Sequence, residues 1–228
     1  MSDEDAPVLE PLSKDRQKDL DIAVSGYEEG LLYSPEAVSY LLSRGFTRQT
    51  VERFRLGVVA EPAVEHQRFR NMLAIPYLDK AGMPLTVRFR CLEDHNHREH
   101  RHGKYNSITG DPGRMFNIKS VHDADDVIHL TEGELDCIVL SQLGYHAVAM
   151  PGATSFKARH RRMLAGFSRI YVWGDPDEAG GEFVTKVMNA LRQATPITPK
   201  GGDVNEVLLL EGEDAIRRLV EKAERSHA

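Results

Sequence analysis

The sequence predicts an α/β protein: a parallel sheet flanked by helices, preceded by a smaller α+β lobe. Three observations carry this. Beyond residue 127, short apolar runs alternate with helix-length amphipathic stretches, the pattern of right-handed strand–helix–strand crossovers. Before that point, an alternating hairpin sequence follows a set of short capped helices. With 228 residues, 41% of them hydrophobic, the chain can bury one sizeable core with a smaller lobe beside it.

Leu20, Val24, Tyr27 and Leu31 recur at helical spacing among charged residues, so an amphipathic helix is expected within an acidic N-terminal segment, residues 1–33. The α+β lobe is expected over residues 34–122. Ser34 and Pro35 supply a cap and a first-turn proline for a second helix, with Val38, Leu41 and Leu42 as its apolar stripe and Gly45 closing it. Thr47 caps a third helix through TRQTVERFRL, ended by Gly57. Two short helices on a tight turn are taken as a packing unit in preference to a DNA-reading helix-turn-helix. In LAIPYLDKAGMPLTVRFRCL, Leu73, Ile75, Leu85, Val87 and Phe89 alternate with more polar neighbours about a DKAG turn, which predicts two antiparallel strands. The following EDHNHREHRHGKYNS is polar throughout. Its His95, His97, His100 and His102 invite a metal site, but nothing apolar stands nearby to fix their geometry, so a flexible basic loop is the expectation.

The third region, residues 123–228, carries the parallel sheet. Val127 to Leu130 forms its first strand, and LDCIVLSQLG a helix ending at Gly144. HAVAM is the second strand, and Ser155 is expected to cap a basic helix ending near Gly166. RIYVWG is the third strand, and the helix from Glu178 is expected to bury Phe183, Val184, Val187, Met188 and Leu191. A weaker strand about PITPK leads to Gly201, Gly202 and Asp203, then to helical NEVLLLEG and EDAIRRLVEKAE.

Composition excludes several classes. No apolar run approaches the roughly 20 residues of a membrane helix, and MSDEDAP lacks the basic-then-apolar order of a signal peptide, so the cytoplasm is the expected location and no membrane partner is expected. Cys91 and Cys137 are the only cysteines, too few for a disulfide framework or a four-cysteine zinc ribbon; a structural zinc module is expected on another chain. The net charge of −6 conceals local clusters. Asp3, Glu4, Asp5, Asp15, Asp19 and Asp21 are acidic, whereas Arg88, Arg90, Arg98, Arg101 and Lys104 form one basic group and Lys157, Arg159, Arg161, Arg162 and Arg169 another. Such stripes suit a phosphate backbone and equally a solvated face; charge alone leaves both open.

Acidic residues are more informative. In a parallel sheet the residues just past the carboxyl ends of the strands share one edge, where ligands bind. Glu132 follows the first strand in LTEGELD, Asp175 and Asp177 follow the third in GDPDEAG, and Asp203 follows the fourth. Singly, each has an ordinary reading, as a helix cap or a turn residue. Together, with Gly133, Gly180 and Gly202 at the turns, they put four like charges on one rim, an arrangement that calls for a cation. Oxygen ligands without histidine or cysteine suit Mg²⁺ or Mn²⁺, completed by water and substrate phosphates, so the inferred chemistry is at phosphorus.

These motifs carry a resemblance. EGELD at 132–136, DPD at 175–177 with AGG after it, and GGDVNEVL at 201–208 resemble the three acidic motifs of the TOPRIM domain, shared by primases, topoisomerases and some nucleases. YLLSRGFTRQTVERFRLG, RFRNMLAIPYLDKAGMPLTVRFR and GKYNS resemble, in order, the N-terminal lobe of the RNA-polymerase core of bacterial and phage DnaG-type primases. The resemblance covers residues 34–222 and implies a TOPRIM-type parallel sheet. The implied activity is metal-dependent synthesis of short RNA primers from ribonucleoside triphosphates on single-stranded DNA. It further implies metal ligands at Glu132, Asp175, Asp177 and Asp203, catalytic roles for Glu132, Asp175 and Asp177, an additional acidic position at Asp136, and nucleotide or template contacts at Arg90, Lys104 and Arg114.

Two departures qualify the match. Asn205 stands where DnaG primases commonly have a second Asp. The zinc ribbon and helicase-binding domain are missing, which implies a separate zinc-ribbon protein and a replicative helicase as partners, and a phage or prophage gene expressed in a bacterial cell. Two alternatives use the same residues: a TOPRIM-type metal-dependent nuclease, or a non-catalytic replisome accessory that binds single strands through Arg159, Arg161 and Arg162. A strand-passing topoisomerase is disfavoured by length.

Overall fold

The computed structural model describes residues 9–151 and 155–225, and the chain forms two compact units, one over Glu10–Pro112 and one that runs on from Gly113. The acidic Asp3, Glu4 and Asp5 lie outside the described residues.

In the first unit, α1 (Lys14–Leu31) is capped by Ser13, whose hydroxyl accepts from the Arg16 amide, and it buries Val24, Tyr27 and Leu31 as its spacing predicts. Helix α2 (Pro35–Ser43) begins at the expected proline but turns Ala37 and Leu41 inward. Val38 and Leu42 are exposed, because one residue on from Ala37 and Leu41 the helix has rotated by about 100°. Helix α3 (Arg48–Arg53) is capped by Thr47 and stops four residues before Gly57. Arg55 adopts a left-handed φ of 53°, pinned by ion pairs to Asp21 (2.6 Å) and Glu28 (2.8 Å), and Gly57–Val58 becomes strand β1 instead of helix.

Strands β2 (Leu73–Leu78) and β3 (Pro84–Arg90) form the expected hairpin, its turn closed by Asp79 Oδ1, which accepts from the amides of Ala81 and Met83. A short β4 (Tyr105–Asn106) completes an antiparallel sheet of order β1-β2-β3-β4. Its core contains Val24, Tyr27, Phe69, Val87 and Phe89, with the Phe69 and Phe89 rings stacked at 4.1 Å; Leu85 is only partly buried. Between β3 and β4 the polar loop folds back on itself, bringing His95, His97 and His102 against the buried Cys91. The segment expected as a flexible basic loop thus brings three of its four histidines beside a buried cysteine.

The second unit opens with α4 (Lys119–Asp123), which has no apolar stripe to reveal it in the sequence. There follow β5 (Val127–Thr131), α5 (Glu134–Gln142), β6 (Ala147–Ala149), α6 (Ala158–Leu164), β7 (Arg169–Trp173), α7 (Glu178–Ala190), β8 (Ala194–Ile197), α8 (Val204–Glu211) and α9 (Glu213–Arg225). The four strands are parallel in the order β6-β5-β7-β8. Helix α6 starts later than expected: Lys157, not Ser155, is its N-cap, and the Ser155 hydroxyl donates to the Pro151 carbonyl instead. In α7, Phe183, Val184 and Val187 are buried and Leu191 closes the same face, while Met188 lies on the flank, 39% exposed.

Ile128, Leu130, Val148, Ile170, Val172 and Phe183 make the centre of this core. On the opposite face of the sheet the Trp173 indole donates to His129 Nδ1 at 2.9 Å. Burial drives the His129 imidazolium pKa down to about 3, so the ring stays neutral and can accept that bond. Phe183→Ala is expected to destabilise the protein by about 3–5 kcal/mol in urea unfolding, whereas Met188→Ala should change it by less than about 1 kcal/mol. Equal losses would return Met188 to the buried stripe.

Candidate active site

Sheet order delivers the acidic residues. β5 and β7 are neighbours, with Thr131 paired to Trp173, so Glu132, one residue past Thr131, and Asp175, two past Trp173, leave adjacent strands at the same level. On the other side of β7, β8 pairs Ile197 with Trp173 before the chain turns to Asp203 at the start of α8.

Asp177 and Asp203 each begin a helix. Asp177 Oδ1 accepts from the Gly180 amide at 2.8 Å, and Asp203 Oδ1 accepts from the Glu206 amide at 2.7 Å. Glu206 reciprocates by accepting from the Asp203 amide at 3.1 Å, a complete capping box. The ordinary reading of both residues as caps therefore holds, and each cap engages a single carboxylate oxygen.

Asp175 is the residue between them. Burial pushes its carboxyl up to about 6, and negative charge from Glu132, Asp203, Asp177 and Glu206, in that order, pushes in the same direction. That one shift records the gathering of all four expected acids. Glu206 joins them unforeseen; the Asp-x-x-Glu spacing that marks a capping box was the signal for it.

Asp136 lies in the first turn of α5, buried, with Oδ1 accepting from the Asn205 amide at 3.0 Å. It ties the start of α8 to α5, and Asn205 is itself buried. The glycines of GDPDEAG serve close approach. A Cβ on Gly180 would stand 2.4 Å from the Asp175 carbonyl oxygen, and one on Gly174 would stand 2.5 Å from Val184 Cγ2, so the first turn of α7 rests directly on the Asp175 backbone.

The expected basic residues are divided between the units. Arg114 is partly buried in the second unit, beside Arg159, whose guanidinium donates to the Gly113 carbonyl at 2.7 Å. Burial and the charge of Arg114 hold Arg159 below its usual pKa, while Arg161 and Arg162 are exposed on α6. Arg90 is buried in the first unit, with its guanidinium 5.1 Å from the Tyr40 ring centroid and 4.8 Å from that of Tyr105, whose hydroxyl it also contacts. Lys104, in the same unit, is exposed.

Residues 129–208 match the Toprim-like family. The chain is 31% identical over 153 residues to the Gene 57 protein of Mycobacterium phage D29, covering 65% of this chain and 97% of that protein. It is 27% identical over 197 residues to a DNA primase of Clostridium acetobutylicum, covering 82% of this chain and 33% of the relative. The fold matches the RNA polymerase domain of Mycobacterium tuberculosis primase DnaG with a TM-score of 0.74 at 22% identity, over 92% of this chain and 84% of that domain. The chain belongs to the DnaG-type primase family. It spans a third to a half of the length of the curated DNA primases it matches. Among the described residues no helix is long and apolar enough to cross a membrane.

Toprim primases are metal-dependent as a family, and the donor set of this DnaG-type core fits that requirement. It is all oxygen, and one carboxyl is pushed toward protonation by burial and by the negative charge of its neighbours, which a hard cation would offset. Because the folded-state pKa of Asp175 lies above the roughly 3.9 of an unfolded aspartate, its ionisation opposes folding. Its stabilising contribution is complete below about pH 4 and is lost as pH rises through about 6. In EDTA, urea unfolding should show stability falling over that window by an increment that Asp175→Asn removes. An unchanged pH slope in the variant would mean that the crowded carboxyl is another residue.

Proposed function

We propose that this chain is a primase catalytic core that joins ribonucleotides into short RNA primers on single-stranded DNA. The observation that carries the proposal is the crowding of Glu132, Asp177 and Asp203 around Asp175 at the carboxyl edge of a parallel sheet, in a chain of this family. These four residues are the ones proposed to hold Mg²⁺ or Mn²⁺. Such an ion, when bound, lowers the pKa of the attacking hydroxyl and carries charge on the leaving pyrophosphate.

The chain's own residues supply positioning and charge. The primer 3′-hydroxyl attacks the α-phosphorus of the incoming nucleotide, the bond to the β-phosphate oxygen breaks, and pyrophosphate leaves. Glu132 is assigned to take up the hydroxyl proton. The caps at Asp177 and Asp203 hold those carboxylates in fixed rotamers, so little freedom remains to be lost when they engage a ligand. Arg90, Lys104 and Arg114 are assigned to the phosphates of nucleotide or template, work suited to guanidinium and ammonium groups. Arg90 is fit for it because Tyr40 and Tyr105 hold its plane.

The tuberculosis relative has been solved in complex with a double-stranded DNA oligomer carrying a 6-nucleotide overhang, which supports a nucleic-acid template for this chain. Ribonucleoside triphosphates are the proposed substrates, and a replicative helicase and a zinc-ribbon protein the proposed partners.

With single-stranded DNA, labelled ribonucleotides and Mg²⁺ or Mn²⁺, short RNA products are expected, and Glu132→Gln and Asp177→Ala should each reduce them by about 100-fold or more. Absence of product with every template and partner, or equal product from both variants, overturns the assignment. Metal-dependent degradation of labelled DNA without nucleotides would assign hydrolysis in its place.

A further inference from the structure

The loop joining β3 to β4 holds a second cluster of ligand-type side chains, of a different chemistry. Cys91 leaves the end of β3 buried, and His95, His97 and His102 return to it from the loop. One donor atom from each, the Cys91 Sγ and three ring nitrogens, lies within 4.8 Å of every other.

The geometry is that of a metal cage. Cys91 Sγ and His95 Nε2 are 3.7 Å apart, and two ligands at Zn–S and Zn–N bond lengths subtending a tetrahedral angle are separated by about 3.6 Å. The outer nitrogens are already committed. His95 Nδ1 donates to the Glu93 carboxylate at 3.0 Å, and His102 Nδ1 donates to the Gly103 carbonyl at 3.0 Å. Both rings thereby carry their proton on Nδ1 and present the Nε2 lone pair inward, the arrangement by which a carboxylate or carbonyl orients a metal-binding imidazole. His97 contributes a buried Nδ1 that has no hydrogen-bond partner among the described residues, a nitrogen that a metal ion would engage.

The loop is held by local hydrogen bonds such as that from the His102 amide to the His97 carbonyl, and it has no hydrophobic core of its own. Residues 92–104 include no buried side chain, yet the rings pack closely: His95 lies 4.2 Å from His100, 4.7 Å from His97 and 5.0 Å from His102. Imidazoles at these separations repel one another when protonated and share a cation readily when neutral. The loop ends also meet, the Cys91 amide donating to the Lys104 carbonyl at 2.9 Å.

We propose that Cys91, His95, His97 and His102 form a four-coordinate zinc site that fastens the β3–β4 loop. One thiolate and three imidazoles select zinc over the Mg²⁺ or Mn²⁺ suited to carboxylates. Four protein ligands leave no open position, so the site is structural, and Cys91 binds as the thiolate with release of its proton. Its consequence is local: the fastened loop fixes the end of β3 that carries Arg90 and the start of the segment that carries Lys104. The proposal involves the first unit alone and does not depend on the primase assignment.

Protein purified without chelator and dialysed against excess zinc, then against buffer, is expected to retain about one zinc per chain by mass spectrometry. Cys91→Ser and His97→Ala should each retain less than about a tenth of that, whereas His122→Ala should match the wild type. Cobalt-loaded protein should show a thiolate-to-cobalt charge-transfer absorption that Cys91→Ser abolishes. In case the variants fold poorly, the wild type supplies its own control: zinc should slow tryptic cleavage at Arg98 and Arg101 and alkylation of Cys91, and a strong chelator should restore both. Substoichiometric zinc with no charge-transfer band, or zinc retained unchanged in Cys91→Ser and His97→Ala, would falsify the site.

Discussion

Like charge at one edge of the parallel sheet is the constraint on which the rest of the second unit turns. Glu132, Asp175, Asp177 and Asp203 are brought together by strand order, and the fold offsets their repulsion in part before any ligand arrives. Asp177 and Asp203 each accept a helix amide. Glu132 immediately precedes Gly133, the N-cap of α5. All three therefore sit where helix dipoles present their positive ends. Asp175 begins no helix, and burial first, then the neighbouring negative charge, raises its pKa.

That arrangement follows from topology. Right-handed crossovers between parallel strands aim every following helix N-terminus at the carboxyl edge, so acids and amides arrive there together. The edge is then fixed by contacts beneath it. β5 and β7 are locked in register through Thr131 and Trp173, and Trp173 is held to β5 again by the neutral His129. Gly174 and Gly180 let α7 start directly on the Asp175 backbone, and Asp136 anchors α8 through the Asn205 amide. A change in any of these would shift a carboxylate without touching it.

The strands, the hairpin and the acidic positions were legible because they rest on short-range periodicity and on a topological rule that needs only strand order. Features decided by tertiary neighbours were not. Val38 and Leu42 look like partners of Leu41 until α1 is in place, Met188 differs from Val187 by one step of rotation, and Ser155 loses the cap of α6 to Lys157 by bonding Pro151. Glu206 was hidden because its charge matters only once Asp175 is near. The approach of the histidine loop to Cys91 was not foreseen, for a related reason. Its polar composition offered no core, and its fourth ligand-type residue, Cys91, lies at the end of the preceding strand. The spacing Cys-x3-His-x-His-x4-His was available to find it.

The two clusters differ in what they leave undone. Under the proposed function, the carboxylates at the sheet edge are hard donors exposed to differing degrees, and a hard cation held by them would keep positions for water and phosphate, as an exchangeable participant in chemistry must. The proposed thiolate and imidazole site supplies every ligand from the protein and admits no substrate. Zinc binds most mixed donor sets more tightly than magnesium does, so softness alone would not keep it from the carboxylates. What separates the roles is closure: four protein ligands make a metal part of the fold, and an incomplete set of oxygens keeps one available for reaction.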